Sequence, residues 1–199
     1  MNEIYAGSPA RCQQSEALSP WRDAAYFLRV RRQVRAQVFK MQFVEANDAK
    51  IPAIGLGTWE LRGRSCARLV EQALRLGYRH IDTAEIYDNE REVGEGVRAS
   101  GIPRTEVFVT TKVWSDHLAP REFERAAKAS LAGLRLPEVD LLLIHWPNPR
   151  IPLAETISAL CRMKRAGFAR HIGVSNFTVP LIEEAVESAA PVVRKAVRS

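Results

Sequence analysis

The chain has 199 residues, of which 46% are hydrophobic and 26% are charged, and this composition is typical of a globular domain with one core. No apolar run reaches the roughly 18 residues of a membrane-spanning helix, so no membrane partner is expected. Cys12, Cys66 and Cys161 show neither the spacing of a disulfide framework nor a CxxC zinc motif, which favours a reducing, cytoplasmic location.

The net charge of +6 is concentrated at the two ends of the chain. Residues 1–40 carry seven basic and three acidic residues, residues 194–199 carry three basic residues, and the middle is close to neutral. Neither end contains the interleaved aromatic residues or the recognition motif of a nucleic-acid-binding protein. No nucleic-acid partner is therefore expected.

Residues 1–40 do not share the pattern of the rest of the chain. Between Trp21 and Phe39, apolar residues recur at helical spacing among arginines, which is typical of a basic amphipathic helix that binds a membrane surface or a partner. The alternative is a segment that does not belong to the fold. We predict an N-terminal basic extension over 1–40, disordered or helical and outside the fold.

From Met41 the pattern becomes that of an α/β fold. Residues 41–59 predict a β-hairpin that turns at Asn47-Asp48. Five βα units of about 30 residues follow, which indicates parallel strands joined by crossover helices. The strands are predicted at 54–59, 78–82, 107–114, 139–146 and 171–176. The helices are predicted at 64–76, from a cap at Asp88 or Asn89 to 100, and at 120–134, 153–165 and 179–187. A sixth strand is expected to start at 190–193.

Four polar residues follow consecutive predicted strands. Asp82 ends the second strand, Tyr87 lies on the next loop, and Lys112 and His145 lie near the ends of the third and fourth strands. Each alone has an ordinary structural explanation, such as an ion pair or a satisfied core histidine. In a closed α/β barrel, however, these strand ends converge on the face that carries the chemistry. We therefore predict one site that contains all four.

A metal site is the alternative at this position. His80 and Asp82 form an H-x-D pattern on one strand, which occurs in metal-dependent barrel hydrolases. That interpretation leaves Tyr87 and Lys112 without a role, and His80 can fill a layer of the barrel interior. No metal is therefore expected.

Five motifs carry a resemblance to a known family: GLGTW at 55–59, GYRHIDTAEIYDNEREVG at 77–94, TKVW at 111–114, LIHWP at 143–147 and IGVSNF at 172–177. They resemble the aldo-keto reductases, specifically the prokaryotic branch with the 2,5-diketo-gluconate reductases. The resemblance implies a (β/α)₈ TIM barrel that binds NADP(H) without a Rossmann fold. It also implies reversible hydride transfer between the nicotinamide and the carbonyl carbon of a small substrate.

The resemblance implies a role for each of the four polar residues. Tyr87 would be the general acid that protonates the carbonyl oxygen. A phenol is a weak acid at neutral pH, and a nearby ammonium stabilises its phenolate; Lys112 would be that cation, held by Asp82. His145 would donate a hydrogen bond to the carbonyl oxygen.

Further contacts are implied for the cofactor and the substrate. The implied cofactor-binding residues are Gly57, Thr58, Asp82, Ser175 and Asn176, with the last two at the nicotinamide carboxamide. The implied substrate-binding residues are Trp59, Tyr87, Trp114, His145 and Trp146. The alternative for the tryptophans is that they are simply large core residues.

The length predicts an incomplete barrel. A (β/α)₈ barrel takes about 250 residues, whereas only residues 41–199 follow the extension. We expect a partial barrel of five to six βα units over 41–193, with 194–199 as a basic tail outside the family. The family is usually monomeric, but open barrel edges favour self-association. The alternative function is thus a non-catalytic reductase fragment that binds a partner or itself.

Overall fold

The computed structural model describes residues 41–196; the predicted extension at 1–40 and the last three residues of the predicted tail lie outside the described residues. No helix within 41–196 is long and apolar enough to cross a membrane.

A β-hairpin opens the described chain, as predicted. Strands β1 (Phe43–Ala46) and β2 (Ala49–Pro52) are antiparallel, and Ala46 pairs with Ala49. The two-residue turn between them places Asn47 and Asp48 at φ 46° and 66°. Positive φ at both central residues is the requirement of a type I′ turn, and Asn and Asp tolerate it best after glycine.

Five parallel strands form one sheet, whose order follows the chain: β3-β4-β5-β6-β7. These strands are β3 (Leu56–Gly57), β4 (His80–Asp82), β5 (Phe108–Val113), β6 (Val139–Ile144) and β7 (Ala169–Val174). The helices that follow them are α1 (Gly63–Leu76), α2 (Glu90–Ala99), α3 (Pro120–Leu134), α4 (Leu153–Arg165) and α5 (Val179–Ala196). The fold is therefore α/β, with five consecutive βα units of the eight that make a TIM barrel.

One strand prediction was wrong in part, and a second was wrong in full. The strand predicted at 54–59 pairs with β4 only at Leu56 and Gly57, because it is the edge strand of the sheet. The sixth strand predicted at 190–193 does not form, since α5 continues through these residues to Ala196. A short apolar run cannot be assigned to strand or helix from its periodicity alone.

The core lies around strands β5 and β6. All six residues of β5 are buried, and β6 is mostly buried, as expected for parallel strands that are covered on both faces. Helix α2 approaches its two neighbours so closely that it contacts them through glycine. A Cβ at Gly94 would lie 2.1 Å from the carbonyl oxygen of Leu134 in α3, and one at Gly96 would lie 2.4 Å from that of Ala67 in α1.

Candidate active site

The carboxyl ends of the central strands bring the four predicted polar residues together. Asp82 is the last residue of β4, Lys112 lies in β5, and His145 follows β6 directly. The parallel register pairs Asp82 with Thr110 and Lys112 with Leu143, so the ends of these strands are adjacent. The grouping that the sequence predicted is therefore present in the structure.

The buried ammonium of Lys112 has two close partners. Its Nζ lies 2.5 Å from Oδ1 of Asp82 and donates to the carbonyl oxygen of Thr83 at 3.0 Å. Lys112 is only 7% exposed. A buried charge requires such partners to offset its desolvation. The two contacts therefore hold the ammonium in one position at the strand ends.

Tyr87 lies directly beside this ammonium. It ends a 3₁₀ turn (Glu85–Tyr87) after β4, and the next residue, Asp88, adopts a left-handed conformation with φ 51°. The Nζ of Lys112 lies 5.2 Å from the centroid of the Tyr87 ring, within the range of a cation–π contact. The phenol and the ammonium thus share one environment.

His145 lies between two aromatic rings. The Tyr87 ring lies at 5.6 Å and the Trp114 ring at 5.2 Å between centroids, both edge to face. Burial lowers the pKa of His145, and the positive charge of Lys112 lowers it further, while Asp82 opposes the shift. At neutral pH the imidazole is therefore uncharged and carries one N–H donor. Among the described residues, its buried Nδ1 has no hydrogen-bond partner.

Four of the five predicted cofactor residues lie at the two edges of the sheet: Gly57 and Thr58 at the end of β3, and Ser175 and Asn176 after β7. At one edge, the amide and the hydroxyl of Thr58 both donate to the carbonyl oxygen of Asp82, at 3.0 and 3.1 Å. At the other edge, the Asn176 side chain donates to the carbonyl oxygen of His145 at 2.8 Å and to Ser175 Oγ at 3.1 Å. Both loops are thereby fixed to the strands that carry the polar cluster.

These residues fit the implied NADP(H). A Cβ added at Gly57 would meet no atom within 4 Å, so the first loop leaves its backbone open to close approach. Ser175 is half-buried and Asn176 is exposed, so the Ser175 hydroxyl and the amide oxygen of Asn176 are available for the carboxamide of a nicotinamide.

The three predicted tryptophans differ in their surroundings. Trp59 is 67% exposed and its ring lies 5.7 Å from that of Tyr87, while the half-buried Trp114 contacts His145. Trp146 is 47% exposed, and within residues 41–196 it makes no aromatic contact with the other rings of the site. Exposed tryptophans beside a polar cluster are typical of a binding surface.

Both ring nitrogens of His80 lie near protein groups other than Asp82. Its Nδ1 is 3.2 Å from the carbonyl oxygen of Pro52, and its Nε2 is 3.0 Å from the hydroxyl of Thr110. Both ring nitrogens are thus engaged with the hairpin and with β5. In the described part of the chain, no group of three or more potential ligands could hold a metal ion.

Sequence reasoning missed the side chain that joins the loops under the site. Asn89 occupies the N-cap position of α2, as one of the two predicted caps, but makes no capping hydrogen bond. Its amide donates instead to the carbonyl oxygens of Thr58 at 2.7 Å and Leu61 at 3.0 Å, and its oxygen accepts from Thr83 Oγ1 at 2.9 Å. Arg62, the residue before α1, donates to the carbonyl oxygen of Tyr87. No local pattern signals these contacts between distant segments.

Comparison with curated proteins agrees with this geometry. The model of the aldo/keto reductase family matches residues 53–197. Methylglyoxal reductase DkgB of Escherichia coli O157:H7 is 48% identical over 138 residues, which cover 68% of this chain and 52% of that protein. A 9,11-endoperoxide prostaglandin H2 reductase of Trypanosoma cruzi is 46% identical over 132 residues. These residues cover 66% of this chain and 46% of that protein. The chain spans about half the length of the curated relatives it matches.

Solved structures give the same result. A protein assigned as a 2,5-diketo-D-gluconic acid reductase B is 50% identical with a TM-score of 0.73, over 74% of this chain and 53% of that one. A Bombyx mori aldo-keto reductase in complex with NADP is 37% identical with a TM-score of 0.69, over 74% of this chain and 54% of that one. The polar cluster, the strand order and these matches together show that the chain belongs to the aldo/keto reductase family, in its prokaryotic 2,5-diketo-gluconate reductase branch.

Proposed function

We propose that this site reduces the carbonyl group of small aldehydes and ketones to an alcohol, with NADPH as the reductant. One observation carries the proposal: the Lys112 ammonium lies 2.5 Å from the Asp82 carboxylate and 5.2 Å from the Tyr87 ring, at converging strand ends. The family and the reductase names of its relatives support the same chemistry.

Tyr87 supplies the proton. Its hydroxyl donates to the carbonyl oxygen as that oxygen gains negative charge, and the phenolate that remains is stabilised by the ammonium of Lys112. Asp82 and the carbonyl oxygen of Thr83 keep the ammonium in place. When bound, NADPH supplies the hydride that reduces the carbonyl carbon. Solvent then returns a proton to Tyr87.

His145 orients the substrate. Because burial and the charge of Lys112 lower the pKa of the imidazole, the ring is neutral and does not repel the neighbouring ammonium. Its N–H donates to the same carbonyl oxygen that Tyr87 protonates, which directs the carbonyl carbon towards the nicotinamide.

The loops around the cluster hold the two ligands. The residues that would bind the cofactor are Gly57, Thr58, Asp82, Ser175 and Asn176. Trp59, Trp114 and Trp146 would form the apolar walls of the substrate pocket, together with Tyr87 and His145. We keep the cytoplasm as the proposed compartment, because Cys66 and Cys161 are buried free thiols.

The test is NADPH-dependent reduction of methylglyoxal by the purified chain and by Tyr87→Phe. Loss of the general acid should lower kcat by about 10²- to 10⁴-fold. Tyr78→Phe is the matched control, because the Tyr78 ring is 38% exposed and lies outside the cluster. A Tyr87→Phe variant as active as the wild type, or a folded wild-type chain with no activity at high concentration, would refute the proposal.

Self-association is the second candidate, and the open sheet supports it. In the described part of the chain, β3 and β7 are edge strands. Val179, Ile182 and Val186 of α5 are 68%, 43% and 65% exposed at helical spacing. Such edges and apolar faces favour pairing with a second copy. Light scattering with size-exclusion chromatography measures whether the chain self-associates. A chain that is monomeric at all concentrations would exclude self-association.

A further inference from the structure

One carboxylate links the two loops that carry the aromatic rings beside His145. Glu85 begins the 3₁₀ turn after β4, and its Oε2 accepts the backbone N–H of Trp114 at 2.9 Å. Its Oε1 lies 2.6 Å from Nδ1 of His117. Trp114 precedes and His117 ends the 3₁₀ turn (Ser115–His117) in the loop that follows β5. Glu85 therefore fastens the loop after β4 to both ends of this turn.

This link joins the two segments that carry the rings around His145. Tyr87 lies two residues after Glu85 in the same 3₁₀ turn, and Trp114 is held through its own amide. Both rings meet His145 edge to face, with interplanar angles of 78° and 79°. A displacement of Glu85 would thus change the spacing between the two aromatic rings.

The contacts of Glu85 differ from ordinary surface ion pairs. β5 ends at Val113, so the amide of Trp114 lies beyond the strand and depends on the carboxylate for its hydrogen bond. The Glu85 side chain is 22% exposed, and hydrogen bonds to a partly buried charge are stronger than those between neutral groups. In the same loop, Asp116 lies 4.0 Å from Arg150 and both are mostly exposed, which makes a weak pair.

Lys112 and His145 are held independently of this link, and the main chain of Tyr87 has a further contact, because its carbonyl oxygen accepts from Arg62. The amide of His145 donates to the carbonyl oxygen of Val113 at 3.0 Å, and its own carbonyl oxygen accepts from Asn176. Lys112 is held by Asp82 and Thr83. Loss of the Glu85 contacts should therefore move the Trp114 wall more than the reacting groups.

We propose that Glu85 is a positioning residue that sets the substrate specificity of this site, because it fixes the Trp114 wall against His145. This rests on the proposed carbonyl reduction. The substrates that gain most from a fixed wall are small carbonyl compounds such as methylglyoxal, since a mobile indole cannot enclose them. Glu85 itself touches neither the reacting atoms nor the catalytic groups.

The contact between Glu85 and Trp114 is tested by ¹⁹F NMR of the full chain labelled with 5-fluorotryptophan, which requires no measurement of enzyme activity. Loss of one resonance in Trp114→Phe identifies the Trp114 signal. Glu85→Ala should shift and broaden that signal, whereas Glu85→Gln should preserve it, because its amide oxygen can still accept from the Trp114 N–H. Asp116→Ala, the matched control in the same loop, should leave it unchanged. An unchanged Trp114 signal in Glu85→Ala would overturn the link.

Kinetics test the consequence for the substrate. KM for methylglyoxal should rise by about ten-fold in Glu85→Ala, the lower end of the effect of losing one apolar contact in a substrate pocket, with kcat little changed. An equal loss in kcat and kcat/KM, or an unchanged KM, would overturn the specificity role. Should Glu85→Ala not fold, Glu85→Asp serves in its place, because its shorter carboxylate cannot reach both partners. If the wild-type chain shows no reduction, the carbonyl reduction fails while the NMR result still decides the link.

Discussion

The close contact between α2 and α3 makes a strong prediction for Gly94→Ala. The added Cβ would lie 2.1 Å from the carbonyl oxygen of Leu134 and 2.7 Å from its carbon, whereas non-bonded contacts require more than 3 Å. Both atoms belong to the backbone, so no side chain can turn away. Helix α2 must withdraw by about 1 Å, which loosens a close-packed interface.

The structure gives the magnitude of this effect. Alanine gains up to about 1 kcal/mol over glycine in a helix interior, but overpacking costs about 1–3 kcal/mol and a clash with backbone lies at the upper end. The free energy of unfolding should therefore fall by about 2 kcal/mol. At about 2 kcal/mol per molar urea, the midpoint of unfolding should fall by about 1 M.

Gly133→Ala is the matched control. A Cβ at Gly133 would lie 3.5 Å from Cβ of Glu90, which is ordinary contact, so only the gain in helix propensity remains and the midpoint should rise. Urea titration followed by tryptophan fluorescence measures both variants. A Gly94→Ala variant with the wild-type midpoint, or a shift in the same direction for both variants, would refute the packing argument.

Three further predictions concern buried groups. Asn89→Asp replaces the donor to two main-chain carbonyl oxygens with a carboxylate. It should lower the free energy of unfolding, measured by urea titration, by about 2–4 kcal/mol. Asn148→Asp, which loses only one such hydrogen bond, should lower the free energy of unfolding by less. Burial lowers the pKa of His80 and His145 below 6.5, so the unfolded chain binds more protons at these residues than the folded chain does. The free energy of unfolding should therefore fall as the pH drops below 6.5. A urea midpoint that does not fall with pH below 6.5 would contradict this. Burial raises the pKa of the Cys66 thiol to about 11, so it should react with a thiol reagent only after unfolding, and rapid native labelling at pH 8 would contradict this.

The sequence predicted the regular elements best. Helices α3 and α4 begin and end at the predicted residues, because both repeat their apolar residues at helical spacing over more than three turns. The grouping of the four polar residues was also predictable, since parallel strands bring their carboxyl ends together. The roles of those residues remain predictions until the variants are measured.

Two features could not be read from local patterns. A sixth strand was expected at 190–193, but the chain continues as a helix there, in agreement with the high helix propensity of Ala189 and Ala190. The contacts of Asn89 and Glu85 join residues about 30 positions apart. Only the packed strands determine which of these side chains meet.

The strand order has a consequence for the synthesis of the chain on the ribosome. Each parallel strand after β3 pairs with the parallel strand that precedes it in sequence, so each later βα unit finds its partner already made. Asp82, Tyr87, Lys112 and His145 all lie on β4, β5, β6 and the loops after them, away from both edges. The cluster can thus assemble during translation once His145 has left the exit tunnel, before α5 is complete.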